Sequence, residues 1–437
     1  MRSTRQRPTQ DLSSASVRTL RWRFFFAHFF SILLVCISIA QWGIPLWVLA
    51  SIVPAASPLK WDWPLHVLMP FFFFLMNLAL LYLLRRTSYL PPLLHFPLRL
   101  YFAYGVTTVF CFVFLLLCSA AWLVLWAAYQ TLGIAVATTV TTIERVQTSS
   151  WEILLWVTNL GIGTITTAFV YGYVKGYKQV KITHLTLALS NWPQTWSGLK
   201  LLHLSDLHIG SNLSLTELQR YITCANALTP DLVFLTGDLL DASPAYIPQF
   251  FPLLNQLTAR YGVFACLGNH DTYAGAQAVA EGLARYTHIT LLRDQTTSLT
   301  IKGASLHIVG LNDRGKDWAR GLDTLPFLSH LRALLPFNEP CILLSHRPDL
   351  FPQAAREGIV LTLSGHTHGG QIALPGWQGR MNLARFITYF SRGLYSAEDK
   401  FLYVNRGLGV TGQRVRIFTP REIALLTCVP QGYTSIE

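Results

Sequence analysis

The sequence predicts an N-terminal α-helical transmembrane region followed by an α/β domain built as an αββα two-sheet sandwich. Three observations predict it. Long charge-free apolar stretches are confined to the first 174 residues, composition changes sharply near residue 182, and short β-rich runs separated by helix-like stretches follow. The domains are therefore set at 1–181 and 182–437.

Phe24 to Val53, Pro64 to Leu84, Tyr101 to Ile143 and Ile153 to Val174 each lack any charged residue. A helix crossing the hydrocarbon core needs about 20 apolar residues, so these stretches predict about four membrane helices. Buried helices of a large soluble core are the alternative, but such helices rarely run this long without a charge. No span carries an ionisable residue at its centre, which favours an anchor over an ion or proton pathway. Asn159, Thr164, Thr166 and Thr167 make the last span the most polar, fit either to pack within a bundle or to line a groove.

The net charge of +12 divides in the same way, since residues 1–190 hold 14 Lys and Arg against 4 Asp and Glu. The second half is nearly neutral and carries no basic run interleaved with aromatics, which argues against a nucleic-acid surface. Arg2, Arg5, Arg7, Arg18, Arg21 and Arg23 precede the first span, Arg85, Arg86 and Arg99 follow the second, and Lys175, Lys178 and Lys181 follow the fourth. These are alternate loops, so the positive-inside rule puts both termini in the cytoplasm of a multi-pass protein of the cell (inner) membrane. An extra span hidden around Leu132 to Ile143 would instead send the second domain outside. The first apolar run is too long for a cleavable signal peptide. The seven cysteines are scattered without a C-x-x-C, which predicts neither a disulfide framework nor a zinc knuckle and fits a reducing compartment.

In the second domain the expected strands are Leu199 to Leu204, Asp231 to Leu235, Gly262 to Leu267, Ser305 to Val309, Pro340 to Leu344, Ile359 to Leu363, Phe401 to Val404 and Glu422 to Leu426. Leu215 to Leu228 has helical apolar spacing behind Ser214, with Glu217 at the capping-box distance. Tyr246 to Leu257 and Leu325 to Leu335 read as helices too. Residues 380–395 place Leu383, Phe386, Ile387, Phe390 and Leu394 on one helical face, with Arg385 and Arg392 turned away. Such a face either lies on a bilayer or packs on the domain's own core.

Five polar clusters directly follow apolar runs: Asp206-Leu207-His208, Gly237-Asp238, Gly268-Asn269-His270-Asp271, His346, and Gly365-His366-Thr367-His368. Singly, each has an ordinary explanation as a turn, a cap or a satisfied histidine. Together, each at a strand end, they offer carboxylate, imidazole and amide donors that converge on one crevice at the ends of the strands. That donor mixture suits Mn, Fe or Zn better than Mg or Ca alone.

In this order the clusters resemble the signature D-x-H, G-D, G-N-H-[DE], H and G-H-x-H of the calcineurin-like metallophosphoesterase superfamily. "LLHLSDLHIG", "LTGDLLD", "LGNHD", "LLSHRPDLF", "SGHTHGGQIALPG", "LYVNRGLG" and "RIFTPREIALL" are similar to its membrane-associated YkuE/YaeI-like branch, over about residues 182–428. The resemblance implies two divalent metal ions. One would be held by Asp206, His208, Asp238 and His368, the other by Asp238, Asn269, His346 and His366. It also implies His270 near the leaving-group oxygen, with Asp271 placed to orient it. Protein phosphatases of the superfamily continue G-D-x-V-D-R-G, whereas Gly237-Asp238-Leu239-Leu240-Asp241 runs here into Ala242-Ser243, which argues against that activity.

The expectation is a phosphodiesterase or pyrophosphatase acting on a lipid-linked phosphate ester at the membrane, with no nucleic-acid partner. Some superfamily members cleave the pyrophosphate of UDP-2,3-diacylglucosamine, which makes that type of molecule a candidate. A membrane receptor or scaffold that uses the fold only to bind a ligand is the alternative.

Overall fold

The computed structural model describes residues 34–49, 51, 63–86, 92–133, 140–210, 212–315, 325–376, 379 and 381–432. It divides into two compact units, one ending at Phe169 and the other running from Val170 onward. The break falls inside a helix, twelve residues before the predicted boundary, because the last turns of that helix group with the second unit.

The first unit contains α1 (Leu34–Leu49), α2 (Trp63–Arg86), α3 (Pro92–Gly133) and most of α4 (Val140–Val174). Two stretches are long and apolar enough to cross a membrane, Leu100–Ala128 and Ser150–Lys178, with mean hydropathies of 2.6 and 1.7. The apolar parts of α1 and α2 are shorter, Leu34–Leu49 and Val67–Ala79. So two of the four expected spans reach full length among the described residues. Residues 24–33, 50 and 52–53 of the first expected span and residues 134–139, within the suspected extra span, lie outside them.

Several polar side chains in this unit find partners inside it, although Gln41 Nε2, Trp47 Nε1 and Asn159 Oδ1 are buried without one. Asn77 donates to Ser38 and Gln41, each at 3.0 Å, and accepts from the Tyr101 hydroxyl at 2.7 Å. Asn159 donates to Ser51 at 2.9 Å, while Thr164 and Thr167 bond to carbonyls one turn back.

The second unit is a four-layer sandwich. Six strands form a mixed sheet in the order β1-β12-β2-β3-β4-β5 and six more form a second in the order β10-β11-β9-β8-β7-β6. The first sheet comprises β1 (Val180–Leu189), β2 (Leu199–Leu204), β3 (Leu232–Thr236), β4 (Val263–Cys266), β5 (Thr290–Leu291) and β12 (Arg421–Pro430). The second comprises β6 (Gln295–Ile301), β7 (Ala304–Gly310), β8 (Cys341–Leu344), β9 (Leu361–Ser364), β10 (Gly393–Ala397) and β11 (Lys400–Val404).

Alternation along each strand builds the layers. Leu201, Phe234, Phe264, Ile308, Ile342 and Leu363 are buried between the sheets, whereas Leu202, Val233 and Ala265 face α5 (Leu215–Ala227), α6 (Ile247–Leu254) and α7 (Asn269–Tyr286). The outer face of the second sheet is covered by α8 (Leu325–Ala333) and α9 (Phe351–Arg356). Ser214 and Glu217 form the expected capping box on α5.

Two expectations are corrected. The segment from Lys175 to Trp196, which the sequence suggests only as the linker and first edge of the second domain, contains a strand, β1, that pairs in parallel with β12 along all ten residues. Residues 380–395 do not form a helix; a four-residue 3-10 turn, Leu383–Phe386, leads into β10. Phe390 consequently packs inward against Phe351 and Tyr395, with ring centroids 5.7 and 5.1 Å away. Phe386 and Ile387 are 89% and 81% exposed, so the one face predicted for these residues is split.

Candidate metal centre

The parallel strands β2, β3 and β4 in one sheet and β8 and β9 in the other each end in one of the five polar clusters. The side chains that follow have to turn abruptly out of the strand direction. Asp206, His208, Asp238, His366 and His368 all do so with positive φ, at 49°, 46°, 51°, 70° and 50°. This region costs a non-glycine residue about 1–3 kcal/mol and persists where surroundings over-determine it, most often at functional sites. At Gly237, φ 82°, a side chain is excluded outright, since a Cβ would lie 2.5 Å from the Gly268 nitrogen and 2.8 Å from His346 Nδ1.

Three groups of donor atoms result among the described residues, each within 4.8 Å: His208 with Asp241 and His270 at the rim, and two deeper ones, Asp206 with His208 and His368, and Asp238 with His346 and His366. Both deeper groups draw on both sheets. In the first, His208 Nε2 and His368 Nε2 are 3.0 Å apart, with Asp206 Oδ1 3.5 Å from His368 Nε2. In the second, His346 Nε2 lies 3.2 Å from Asp238 Oδ2 and 3.3 Å from His366 Nδ1. Asp238 Oδ2 is also 3.5 Å from His208 Nε2, so one carboxylate reaches both groups. Asn269 is buried and its Oδ1 has no hydrogen-bond partner. A buried acceptor left so costs about 1–3 kcal/mol, and paired imidazole nitrogens facing carboxylates share its need for positive charge. The donor set therefore fits divalent cations.

The electrostatics agree. Burial, the largest influence, would raise the Asp238 carboxyl, but His346 outweighs it and holds the group well below the usual carboxylate range. Burial would lower His346, yet Asp238 and Asp206 push it up to about 10. Burial raises Asp206, and burial with nearby positive charge lowers His366 and His368. Without an ion, a proton on His346 balances the carboxylates.

The residue pair expected to act on substrate is arranged differently from the sequence reading. His270 donates its backbone N–H to Asp238 Oδ1 at 2.8 Å, and its Nδ1 lies 2.6 Å from the carbonyl oxygen of Asp241. Its ring packs edge-on against His208 at 4.6 Å, and its side chain remains 23% exposed. Asp271 does not orient it. That carboxylate is fully buried and accepts the backbone N–H groups of Gly268 and Leu240, each at 2.9 Å, capping α7 and tying two loops together. Burial, then Asp238, raises it to about 7.

A family model for calcineurin-like phosphoesterases matches residues 199–370, which contain all of these donors. An uncharacterised metallophosphoesterase of Bacillus subtilis, YkuE, is 33% identical over 274 residues, covering 61% of this chain and 93% of that protein. The chain belongs to the calcineurin-like metallophosphoesterases. An uncharacterised metallophosphoesterase of Campylobacter jejuni is 36% identical over 236 residues, 54% of this chain and 60% of that one. A zebrafish protein described as a transmembrane protein with a metallophosphoesterase domain is 30% identical over 269 residues, 58% of each chain.

Around this metallophosphoesterase centre stand side chains that the sequence reading did not assign. Asp241 Oδ1 is 3.2 Å from His208 Nδ1. The Thr411 hydroxyl touches His208 Nε2 and His368 Nε2 at 3.0 and 2.8 Å. Arg347 is held by Asp313, Nε to Oδ2 at 2.7 Å, and sets Nη1 3.1 Å from His366 Nε2. Arg416, fully buried, donates to the carbonyls of Arg406, Gly407 and Gly409 and so braces the loop beside His368. Asp241 and Arg347 lie inside "LTGDLLD" and "LLSHRPDLF", so proximity to a ligand was the available signal. Arg416 opens "RIFTPREIALL", whereas nothing local marks Thr411.

Proposed function

We propose that this chain is a membrane-anchored, dinuclear metal-dependent phosphoesterase that hydrolyses a phosphodiester or pyrophosphate bond of a lipid-linked substrate. The observation that carries the chemistry is the reach of Asp238 into both deeper donor groups. When bound, two divalent ions of the Mn, Fe or Zn class supply Lewis acidity and an activated water for attack on phosphorus. Asp206, His208, Asp238 and His368 would hold one ion, and Asp238, Asn269, His346 and His366 the other.

The protein's own groups then divide the remaining work. The backbone carbonyl of Asp241 accepts a hydrogen bond from Nδ1–H of His270, which keeps that proton on the ring and leaves Nε2 as the atom that exchanges a proton with the departing oxygen. Arg347, its orientation set by Asp313, brings a guanidinium to the rim where phosphoryl oxygens gather charge. The buried loops below exclude water from the base of the crevice. Retention of a complete donor set supports catalysis over the receptor or scaffold reading.

The lipid-linked class, with UDP-2,3-diacylglucosamine-type molecules as a candidate, is supported by two membrane-length helices in the same chain as the centre. Placement in the cell (inner) membrane with the catalytic domain in the cytoplasm is supported by the arginine and lysine loops. Purified full chain supplied with Mn²⁺ should turn over members of a panel of nucleotide-lipids, soluble diesters and phosphomonoesters. Turnover of none would favour the receptor. A reporter fused after Glu437 should read as cytoplasmic, and an external signal would reveal an additional span.

A further inference from the structure

A second feature of the sandwich has no part in the metal chemistry. A cleft of about 650 Å³ opens where the edge strands β1 and β10 approach each other. Its walls carry Lys181, Arg385, Arg392 and Arg406 against the single carboxylate of Glu422. That carboxylate is already spent, since it receives Arg406 Nη2 at 2.6 Å and the hydroxyl of Tyr403 at 2.9 Å. Lys181 and Arg385, both exposed, add positive charge that this carboxylate does not balance.

The surroundings say where the anion comes from. The period-two alternation of β1 places Lys181, Thr183 and Leu185 together on the cleft wall. Lys181 lies three residues beyond the end of the membrane-length stretch Ser150–Lys178, and three residues of extended chain span about 10 Å. The wall of the cleft thus begins only three residues along the chain from a stretch long enough to cross a bilayer. Phe386 and Ile387, directly after Arg385, are 89% and 81% exposed, with Tyr389 also exposed on the same loop. Cationic side chains beside large exposed apolar ones are the composition of a surface that enters the interfacial layer of an anionic membrane.

We propose that this cleft seats the phosphate-bearing headgroup of an anionic phospholipid of the bilayer, with Phe386 and Ile387 entering the acyl region beside it. The seat bears on catalysis by position. Gly369, the neighbour of His368, is backed by the stems of Arg392 and Arg406, so a headgroup held there presses on the loop that carries His366 and His368. The inference rests on the membrane attachment in the reading above and not on its chemistry.

The test is retention of added lipid by the delipidated full chain in detergent, followed by native mass spectrometry. Phosphatidylglycerol should be held about tenfold more tightly than phosphatidylcholine, the discrimination expected of one or two cations near a headgroup. Lys181→Ala with Arg385→Ala should abolish that preference, and Lys181→Arg with Arg385→Lys should keep it. Both side chains are exposed and neither is a donor of the metal centre, so folding is not at stake. An undiminished preference in the alanine pair would overturn the proposal, as would equal loss in the charge-keeping pair. Displacement of phosphatidylglycerol by an equal concentration of inorganic phosphate would overturn it in favour of a free-phosphate site. Because bound lipid is counted rather than product, an inactive metal centre leaves these outcomes unchanged.

Discussion

His270 Nδ1 lies 2.6 Å from the carbonyl oxygen of Asp241, a backbone atom that no side-chain substitution removes. The ring is therefore oriented by the loop after β3, and the neighbouring Asp271 serves that loop from below. The two residues adjacent in sequence should separate in function.

His270→Ala should lower kcat by about 10²–10⁴ while leaving metal content intact, the usual scale for loss of a proton-transfer group. Asp271→Asn should instead lower thermal stability and reduce active protein without altering the shape of the pH–rate profile. Elemental analysis beside steady-state kinetics separates the two. Loss of metal from His270→Ala would remove the assigned role.

The proton on His346 has to leave when a cation arrives. Its pKa of about 10 in the metal-free protein means that apparent metal affinity should rise with pH, by about tenfold per unit where one proton is displaced. Calorimetry in buffers of different ionisation enthalpy would report that proton. The sign for stability is opposite. A raised histidine pKa contributes stability that is complete below about 6.5 and is lost as pH climbs through about 10, so the metal-free protein should weaken in alkali. Asp238→Asn should remove both effects and weaken metal binding by at least about tenfold.

His203 gives the acid limb. It is fully buried, its Nε2 meets the Thr236 hydroxyl at 2.8 Å, and burial pushes its pKa down to about 3. Between pH 6.5 and 3 the unfolded chain holds a proton that the folded ring refuses. Stability should then fall with acidification at up to about 1.4 kcal/mol per unit from this group. His203→Gln should flatten that slope in denaturant titrations, and an unchanged slope would assign acid sensitivity elsewhere.

The split of residues 383–390 between core and surface makes a paired prediction. Phe386→Ser with Ile387→Ser removes exposed side chains only, so stability should stay within about 0.5 kcal/mol. Turnover of lipid-linked substrates in vesicles should drop severalfold while a small chromogenic diester is spared. Phe390→Ser empties a place beside Phe351 and should cost about 2–4 kcal/mol, impairing both substrates alike. Equal behaviour of both substrates in the Phe386 and Ile387 variant would remove the lipid-surface idea.

Local chemistry carried much of this molecule. Charge-free length marked the apolar helices, because water penalises exposed apolar length wherever it falls. Apolar runs of four to six residues marked eight of the strands, because strands buried on both faces cannot alternate with polar residues. The donors could be named from sequence since each follows a strand directly, in turns whose glycines and short polar residues tolerate positive φ. Tertiary structure decided what depends on who lies opposite. β1 is not among the strands the sequence marks, because its exposed outer residues break the apolar run, and β12 supplies the partners that make it one. Residues 380–395 have helical spacing, but Phe351 and Tyr395 draw Phe390 inward, and burying that ring outweighs the weak local helix preference. Asp271 turned from a partner of His270 into a cap because the N–H groups of Gly268 and Leu240, on different loops, reach it first. Thr411 and Arg416 joined the centre from more than 40 residues beyond the last donor, a distance in sequence that only the closing of two sheets on each other removes.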